Sequence, residues 1–514
     1  MRRSWLFSAV VMSATSIACT ALLGDFSTNG TTDVGSEGGT SGGPGMCTDR
    51  QKSCNGACVS LFDPNAGCAT AVCTPCAAAT NAAPSCKAGG CSFMCNEGFA
   101  DCDGNPANGC EGNTSSDVAN CGKCGDACGT ANTKNPAICM AGKCTFACRI
   151  GFGHCGAANV TGCETNLDMD PLNCGACGHS CLGGDCKLGK CEPFQLASTS
   201  QPSGLAVDKT HVYFTSPSLG NIGRVQRDGK CMPIAPCPQA FVGAGAGDPL
   251  TGQTRGPTAI VSDGTNVYWT ADAAGIVVKR AAALPPGAMT TLGPAVSTNP
   301  GYLALGGGKL WWTTGFGTTD PSPHLRTANP DGTALTTVAN YQTPVSTFKG
   351  RGGVATDATS VYWASENGGV YHAAFNDPVC NEGTITAPAC KAYGSASSPY
   401  GVAVDDSFVY WTEPSSGTVK KAPKAGGQSS FIATNQDLPQ AIAVLDTFVY
   451  WGNASTTGAT AGTIRRAPQA AATCVGVACE HVADVAAPDS IIAADDGLYW
   501  VNDNISGGVF RLAK

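Results

Sequence analysis

The chain has 514 residues, with 30 Lys and Arg against 38 Asp and Glu, a formal net charge of -8, and only 13% charged residues. That balance excludes a nucleic-acid partner, which requires a basic face or stripe. Beyond the N-terminal segment there is no apolar stretch of about 18 residues, so no second membrane-spanning helix is expected.

Residues 1–18 begin Met1-Arg2-Arg3, continue through the apolar run LFSAVVMSA and reach Ile17-Ala18-Cys19, the layout of a secretory signal. A small residue directly before Cys resembles the lipobox of bacterial lipoproteins, which implies Cys19 as a lipid-attachment site and the membrane as a partner through that lipid. Ordinary signal cleavage, with a secreted or periplasmic product, is the alternative. Residues 19–46 are mostly Gly, Ser and Thr with almost nothing to bury, and read as a flexible tether.

Residues 47–191 hold 24 of the 31 cysteines. Cys86, Cys91, Cys95, Cys102, Cys110, Cys121, Cys124 and Cys128 recur 53 residues later as Cys139, Cys144, Cys148, Cys155, Cys163, Cys174, Cys177 and Cys181, so the segment is a duplicated folding unit. Apolar content between the cysteines is too low for a core, and cross-links must replace burial. Cys121-Gly-Lys-Cys124 and Cys174-Gly-Ala-Cys177 have redox-type spacing but no βαβ surroundings. Together with Cys128 and Cys181 they are therefore read as structural disulfide cysteines of unassigned connectivity. Zinc would need free thiolates, and no metal site is assigned. Asp101, Asp103, Asn105 and Glu111 suggest a calcium loop only faintly, because the equivalent stretch from His154 lacks the Asp residues. The stretches Cys102-DGNPANG-Cys110-Glu111 and Asn120-CGKCGDAC resemble a Cys-rich repeat of bacterial surface lipoproteins.

From 192 to 514 one phrase occurs seven times: a Pro- or Gly-led apolar run, an Asp/Gly turn, and a second run ending in aromatics. Its aromatic ends are Phe214, Trp269, Trp312, Trp363, Trp411, Trp451 and Trp500, spaced 40 to 55 residues apart. A third strand ends in a basic residue at Arg224, Lys279, Arg326, His372, Lys421, Arg466 and Arg511, and a short fourth run follows. Four strands per unit at this period define propeller blades, and both faces of a blade must be apolar because both are covered. The last unit lacks a fourth strand, while an orphan strand from Pro193 precedes the first. A ring predicts that residues 193–199 pair with 507–513. The Tyr-Trp-Thr endings, the Gly-x-Ala-Val-Asp phrases and the I/V-x-R strands resemble the YWTD and NHL propeller families. The expected fold is mainly β, a seven-bladed β-propeller preceded by a disulfide-rich, loop-rich repeat region.

Three cysteine pairs, Cys231 with Cys237, Cys380 with Cys390 and Cys474 with Cys479, are expected to close short loops between third and fourth strands. Asp208, Asp263, Asp357, Asp405, Asp446 and Asp495 all sit at the first turn of the repeat, as turn and capping carboxylates should. No acid or His cluster breaking the repeat is evident, so no catalytic residue and no cofactor is assigned. The chain reads as an exported, lipid-anchored protein of the cell surface or outer membrane, with a propeller that binds a protein or carbohydrate ligand. The alternatives are a divalent-metal propeller enzyme of lyase or lactonase type and a purely structural envelope component.

Overall fold

The structure, a computed structural model, describes residues 47, 49–69, 73–156, 162–229, 239–242, 256–271, 275–283, 288–292, 300–314, 324–340, 352–365, 369–376, 380–381, 391–393, 398–455, 462–470, 472–486 and 488–514. Cys19, the signal and tether segments, and the Cys231–Cys237 and Cys380–Cys390 pairings lie outside the described residues. The chain divides into two compact units, one reaching Asn96 and including Asp103–Cys110, the other formed by Glu97–Cys102 and Glu111–Lys514. The division falls inside the Cys-rich region, so its C-terminal repeat belongs to the same unit as the propeller.

The first unit is built from hairpins. Gln51–Cys54 pairs with Ala57–Ser60, and Ala82–Lys87 with Gly90–Cys95. The first turn is Asn55-Gly56, both at positive φ (50° and 85°), the sequence and geometry a two-residue hairpin demands. All 24 cysteines from Cys47 to Cys191 are paired in 12 disulfides, and the pairing repeats with the sequence. Cys95–Cys110 returns as Cys148–Cys163, and Cys102–Cys124 as Cys155–Cys177. The small cores of the later repeats are the cysteines themselves: Cys121, Cys128 and Cys139 in one, Cys174, Cys181 and Cys186 in the next. Cross-links have taken the place of apolar burial.

The propeller has seven sheets in ring order. In the first blade Leu205–Val207, His211–Ser216, Asn221–Gln226 and Gln239–Val242 run antiparallel from channel to rim. The seventh blade takes Pro488–Ala494, Gly497–Asn502 and Gly508–Ala513 from the C-terminus, and its outer strand, Phe194–Ser198, from the start of the domain. Phe194 lies opposite Arg511 and Ser198 opposite Gly508, the pairing the orphan strand requires.

Adjacent aromatics in each second strand explain the seven cores. Neighbouring side chains of a strand point to opposite faces, so a Tyr-Trp pair serves two blade interfaces at once. Tyr213 shares a core with Trp269 of the next blade, Tyr268 with Trp312, and Trp311 with Trp363. Tyr362 shares one with Trp411, Tyr410 with Trp451, Tyr450 with Trp500, and Tyr499 with Phe214, which closes the ring. Each of these aromatic residues is buried.

Among the described residues, two blades carry a fifth strand from their neighbour. Cys474–Val475, between the third and fourth strands of the sixth blade, pairs parallel with the outer strand Ser430–Thr434 of the fifth. A disulfide between Cys474 and Cys479 closes that loop. Cys380–Asn381 adds in the same way to Thr336–Asn340 of the third blade. Outer edges that would otherwise expose unpaired backbone groups are thereby covered.

Candidate functional site

The first strands of all seven blades surround a central cavity of about 460 Å³. Leu205, Ile260, Leu303, Val402, Ile442 and Ile491 give it an apolar wall, and Ser203, Thr258, Tyr302, Ser490 and Asp489 supply polar groups. Tyr302 meets Tyr400 edge to face, with ring centroids 6.1 Å apart.

The Thr that follows the aromatic pair holds this wall together. Its hydroxyl accepts from a backbone N–H of its own inner strand and donates to a carbonyl of the next blade's inner strand. Thr215 receives Gly204 N–H (2.7 Å) and donates to Thr258 O (2.8 Å). Thr270 joins Ala259 to Gly301 (3.0 Å each), Thr313 joins Tyr302 to Gly352 (3.2 and 3.3 Å), and Thr412 joins Gly401 to Gln440 (2.9 and 2.6 Å). The fourth blade has Ala364 there, and Gly353 N–H donates directly to Tyr400 O at 2.6 Å. The blades approach so closely that a Cβ on Gly204 would lie 2.1 Å from Thr258 O, and one on Gly401 2.3 Å from Gln440 O. Glycine is a steric requirement at these two positions.

Asp489 was not singled out from the sequence. It is the second residue of the seventh inner strand, where other blades have Ser203, Thr258, Gly301, Tyr400 and Gln440. It lines the cavity, and its Oδ2 accepts from Ser203 Oγ at 2.5 Å. The signal was present as the one acid at that offset from the inner-strand Pro. It was masked by the six acids that obey the repeat at the turn beyond.

Four of those repeated acids, Asp208, Asp263, Asp357 and Asp405, cap turns at the far end of the inner strands, while Asp446 and Asp495 pair with Lys514 and Arg227 of the next blade. Asp263 Oδ1 accepts the N–H of Thr265 (2.8 Å) and Asn266 (2.6 Å), and Asp357 and Asp405 do the same for their own turns. The second carboxylate oxygen takes a Tyr hydroxyl: Tyr268 on Asp263, Tyr362 on Asp357 and Tyr410 on Asp405. Partial burial pushes the Asp357 carboxyl up, but Lys424, the turn N–H groups and Tyr362 outweigh it and hold the group well below the usual carboxylate range. Burial raises Tyr393, beside this cluster, to about 12.

Three of the periodic basic residues, Arg224, Lys421 and Arg511, tie blades to one another away from the channel, while His372 and Arg466 bond the fourth strand of their own blade. Arg224 and Arg511 are each 1% exposed. Arg224 donates to Ala282 O of the next blade at 3.1 Å, Lys421 to Gln469 O, and Arg511 to Arg227 O across the ring closure. His372 bonds Tyr393 at 3.0 Å, and Arg466 pairs with Glu480 at 2.7 Å. A second basic set lies three residues further on and reaches back to the previous blade's turn acids. Lys424 pairs with Asp357 at 2.6 Å and Lys514 with Asp446 at 2.7 Å, while Arg227 pairs with Asp496 at 2.5 Å and with Asp495. Sequence reading missed this set, though Arg224/Arg227, Lys421/Lys424 and Arg511/Lys514 share one spacing.

In the Cys-rich region Cys121 and Cys124 belong to different disulfides, with Cys139 and Cys102, and Cys174 and Cys177 pair with Cys186 and Cys155. Cys128 and Cys181 pair with Cys144 and Cys191. Neither C-x-x-C segment is a dithiol pair. Glu111 accepts from Cys102 N–H at 2.9 Å, and its counterpart Glu164 from Gly156 N–H at 2.7 Å and Cys155 N–H at 3.2 Å. Desolvation raises Glu164, but these bonds and His154 prevail and hold it at about 2. These glutamates fasten the loop backbone.

Fold and site together define a seven-bladed β-propeller with a narrow, largely apolar channel, joined to disulfide-stapled repeats. No family model and no curated protein matches the chain. Among solved structures it is similar to a streptogramin B lyase, at 13% identity and a TM-score of 0.45, over 62% of this chain and 96% of that one. It is also similar to virginiamycin B lyase from Staphylococcus aureus, at 14% identity and a TM-score of 0.43, over 63% and 98% of the two chains. A nidogen/laminin complex matches at 17% identity and a TM-score of 0.34, over 50% and 89%. Likeness this distant carries no argument about activity.

Proposed function

We propose that this is an exported binding protein, held at a cell surface by lipid on Cys19, with the Cys-rich repeats as a stalk and the propeller as the recognition platform. The observation that carries the reading is the complete pairing of the cysteines from Cys47 to Cys191, which belongs to an oxidising compartment outside the cytosol. The platform reading is supported by the channel's build. Its repeated acids are committed to turns or to basic residues of the next blade, its inner strands are locked blade to blade, and its wall is apolar with a few convergent polar groups, as in preformed ligand sites. A protein or carbohydrate presented at the channel mouth is the ligand class proposed.

A metal-dependent enzyme is the second reading, favoured by one observation, the off-repeat carboxylate of Asp489 in the channel wall. Mass spectrometry of the mature N-terminus tests the anchor: a diacylated peptide beginning at Cys19 supports it, and an unmodified N-terminus elsewhere refutes it. Metal analysis of the purified protein separates the readings of the propeller. A stoichiometric divalent ion lost in D489N would replace binding by catalysis as the better account.

A further inference from the structure

The cavity lies at the end of the channel where the inner strands begin, with Ser203, Thr258, Tyr302 and Asp489 near the starts of their strands. Deeper in, each blade contributes one branched aliphatic residue, from Leu205 to Ile491. Among the described lining residues Asp489 alone is charged, and Tyr302 of the third blade is the one aromatic ring. The other blades have only Gly204, Ala259, Gly353, Gly401, Ala441 and Ser490 at the position of Tyr302, which leaves room inside the wall. A carboxylate has about four acceptor sites, so Asp489 can hold Ser203 and receive further donors. A cation on an apolar stem fits this arrangement, with its charge at Asp489, a ring beside it for a cation–π contact, and its methylenes against the aliphatic layer.

The mouth of the channel favours a protein as the bearer of that cation. Strands alternate in direction within each blade, so the turns between second and third strands share this face with the starts of the inner strands. On two of these turns, in the adjoining first and seventh blades, Leu219 is 46% exposed and Ile505 79%. Both turns are knit to the segment that leads into Ser203. Thr199 N–H donates to Gly507 O (3.1 Å) and Gln201 N–H to Asn504 O (2.8 Å), while Thr199 Oγ1 meets Ser216 Oγ (3.3 Å), whose own carbonyl accepts Leu219 N–H (3.1 Å). A small solute in the cavity would cover neither apolar side chain, whereas a loop inserting one basic residue would lay its flanking residues on both. Among the described residues, the loops of this face carry Asp437 and Asp503 and no Lys, Arg or His, which complements a basic partner. Glu413, at the same end of its strand, is buried and committed to Lys420 and Thr418.

We propose that the channel receives the Arg or Lys side chain of a protein loop, its cation held between Asp489 and Tyr302 and its apolar neighbours resting on Leu219 and Ile505. The inference rests on the recognition-platform reading and narrows its ligand to a protein that displays a basic residue between apolar ones.

The test uses the full chain and fluorescent cyclic peptides that present Leu-Arg-Leu, Leu-Lys-Leu or Leu-Gln-Leu at a turn, with binding read by anisotropy. Wild type should bind a basic peptide at least about tenfold more tightly than the Gln peptide, as a charged hydrogen-bonded pair requires. D489N should lose that preference, and Y302A should weaken the basic peptides several-fold with little effect on the Gln peptide. L219S combined with I505S should weaken all of them alike. Tryptophan fluorescence checks that each variant keeps its propeller. Failure of both basic peptides to bind wild type overturns the inference, and so does a preference that survives D489N. Equal affinity of wild type for basic and Gln peptides also overturns it, but leaves the propeller a platform for other ligands. A stoichiometric divalent ion at Asp489 that basic peptides do not displace overturns the platform reading as well.

Discussion

Ser203 Oγ donates to Asp489 Oδ2 at 2.5 Å, joining residues 286 apart in sequence at the seam where the seventh blade meets the first. At four other seams a Thr hydroxyl bridges the inner strands, but the seventh blade has Val501 at that position and cannot. The seam is held instead by the Asp489 carboxylate on the channel side, by the outer strand Phe194–Ser198, and by Arg227 on Asp495 and Asp496. Asp489 is therefore both a closure residue and the carboxylate of the candidate site.

The Ser203–Asp489 bond should be measurable as a coupling. S203A and D489A are each expected to lower stability by about 1.5–3 kcal/mol, the range for a hydrogen bond to a charged group. The double variant should cost much less than the sum, because both substitutions remove one interaction. Denaturant unfolding of the four proteins decides it, and strict additivity would mean that the two side chains act independently.

Closure by the N-terminal strand predicts that the ring fails as a whole. Leu196 is buried in the core shared by the seventh and first blades, so L196A should cost about 2–5 kcal/mol. Deleting residues 192–200 should expose every blade to limited proteolysis. Cleavage confined to the seventh blade would show that the blades unfold separately.

The Asp357–Lys424 pair predicts an acid-dependent contribution of known sign. Because the folded Asp357 carboxyl is held below its usual range, its contribution is complete above about pH 4 and is lost as pH falls through the folded value. The stability difference between wild type and K424M should thus be full at neutral pH and shrink toward zero in strong acid. Tyr393 behaves oppositely: raised to about 12, it contributes below about pH 10 and loses that contribution as pH rises. Y393F should flatten the alkaline limb. Denaturant midpoints across pH read both effects.

Reduction should separate the two kinds of stabilisation. Seven of the eight tryptophans lie in the propeller and none between Cys47 and Cys191. Thiol reductant under native conditions should free the cysteines of the Cys-rich region and open it to protease, while tryptophan emission stays that of a buried indole. Thiol titration of the denatured, unreduced protein should find almost no free sulfhydryl between Cys47 and Cys191. Loss of the buried emission on reduction would show that the propeller depends on the disulfides.

The sequence by itself determined what repeats determine. Seven aromatic-ended phrases and one unpaired strand at each end of the domain require a seven-bladed ring, because a strand buried on both faces and a sheet edge left open each have one economical solution. Periodic carboxylates could be assigned to turns for the same reason: a local turn needs a local acceptor. Contacts between blades were decided only by tertiary structure. The Lys424–Asp357 and Arg227–Asp496 pairs and the Thr bridges depend on which blades become neighbours and how closely, and a strand's own residues do not state that distance. The disulfide pairing is of the same kind, since spacing shows that a unit recurs but not which sulfurs meet. Asp489 was hidden for a related reason. It departs from its repeat at a single position, and only the folded chain brings Ser203 to it.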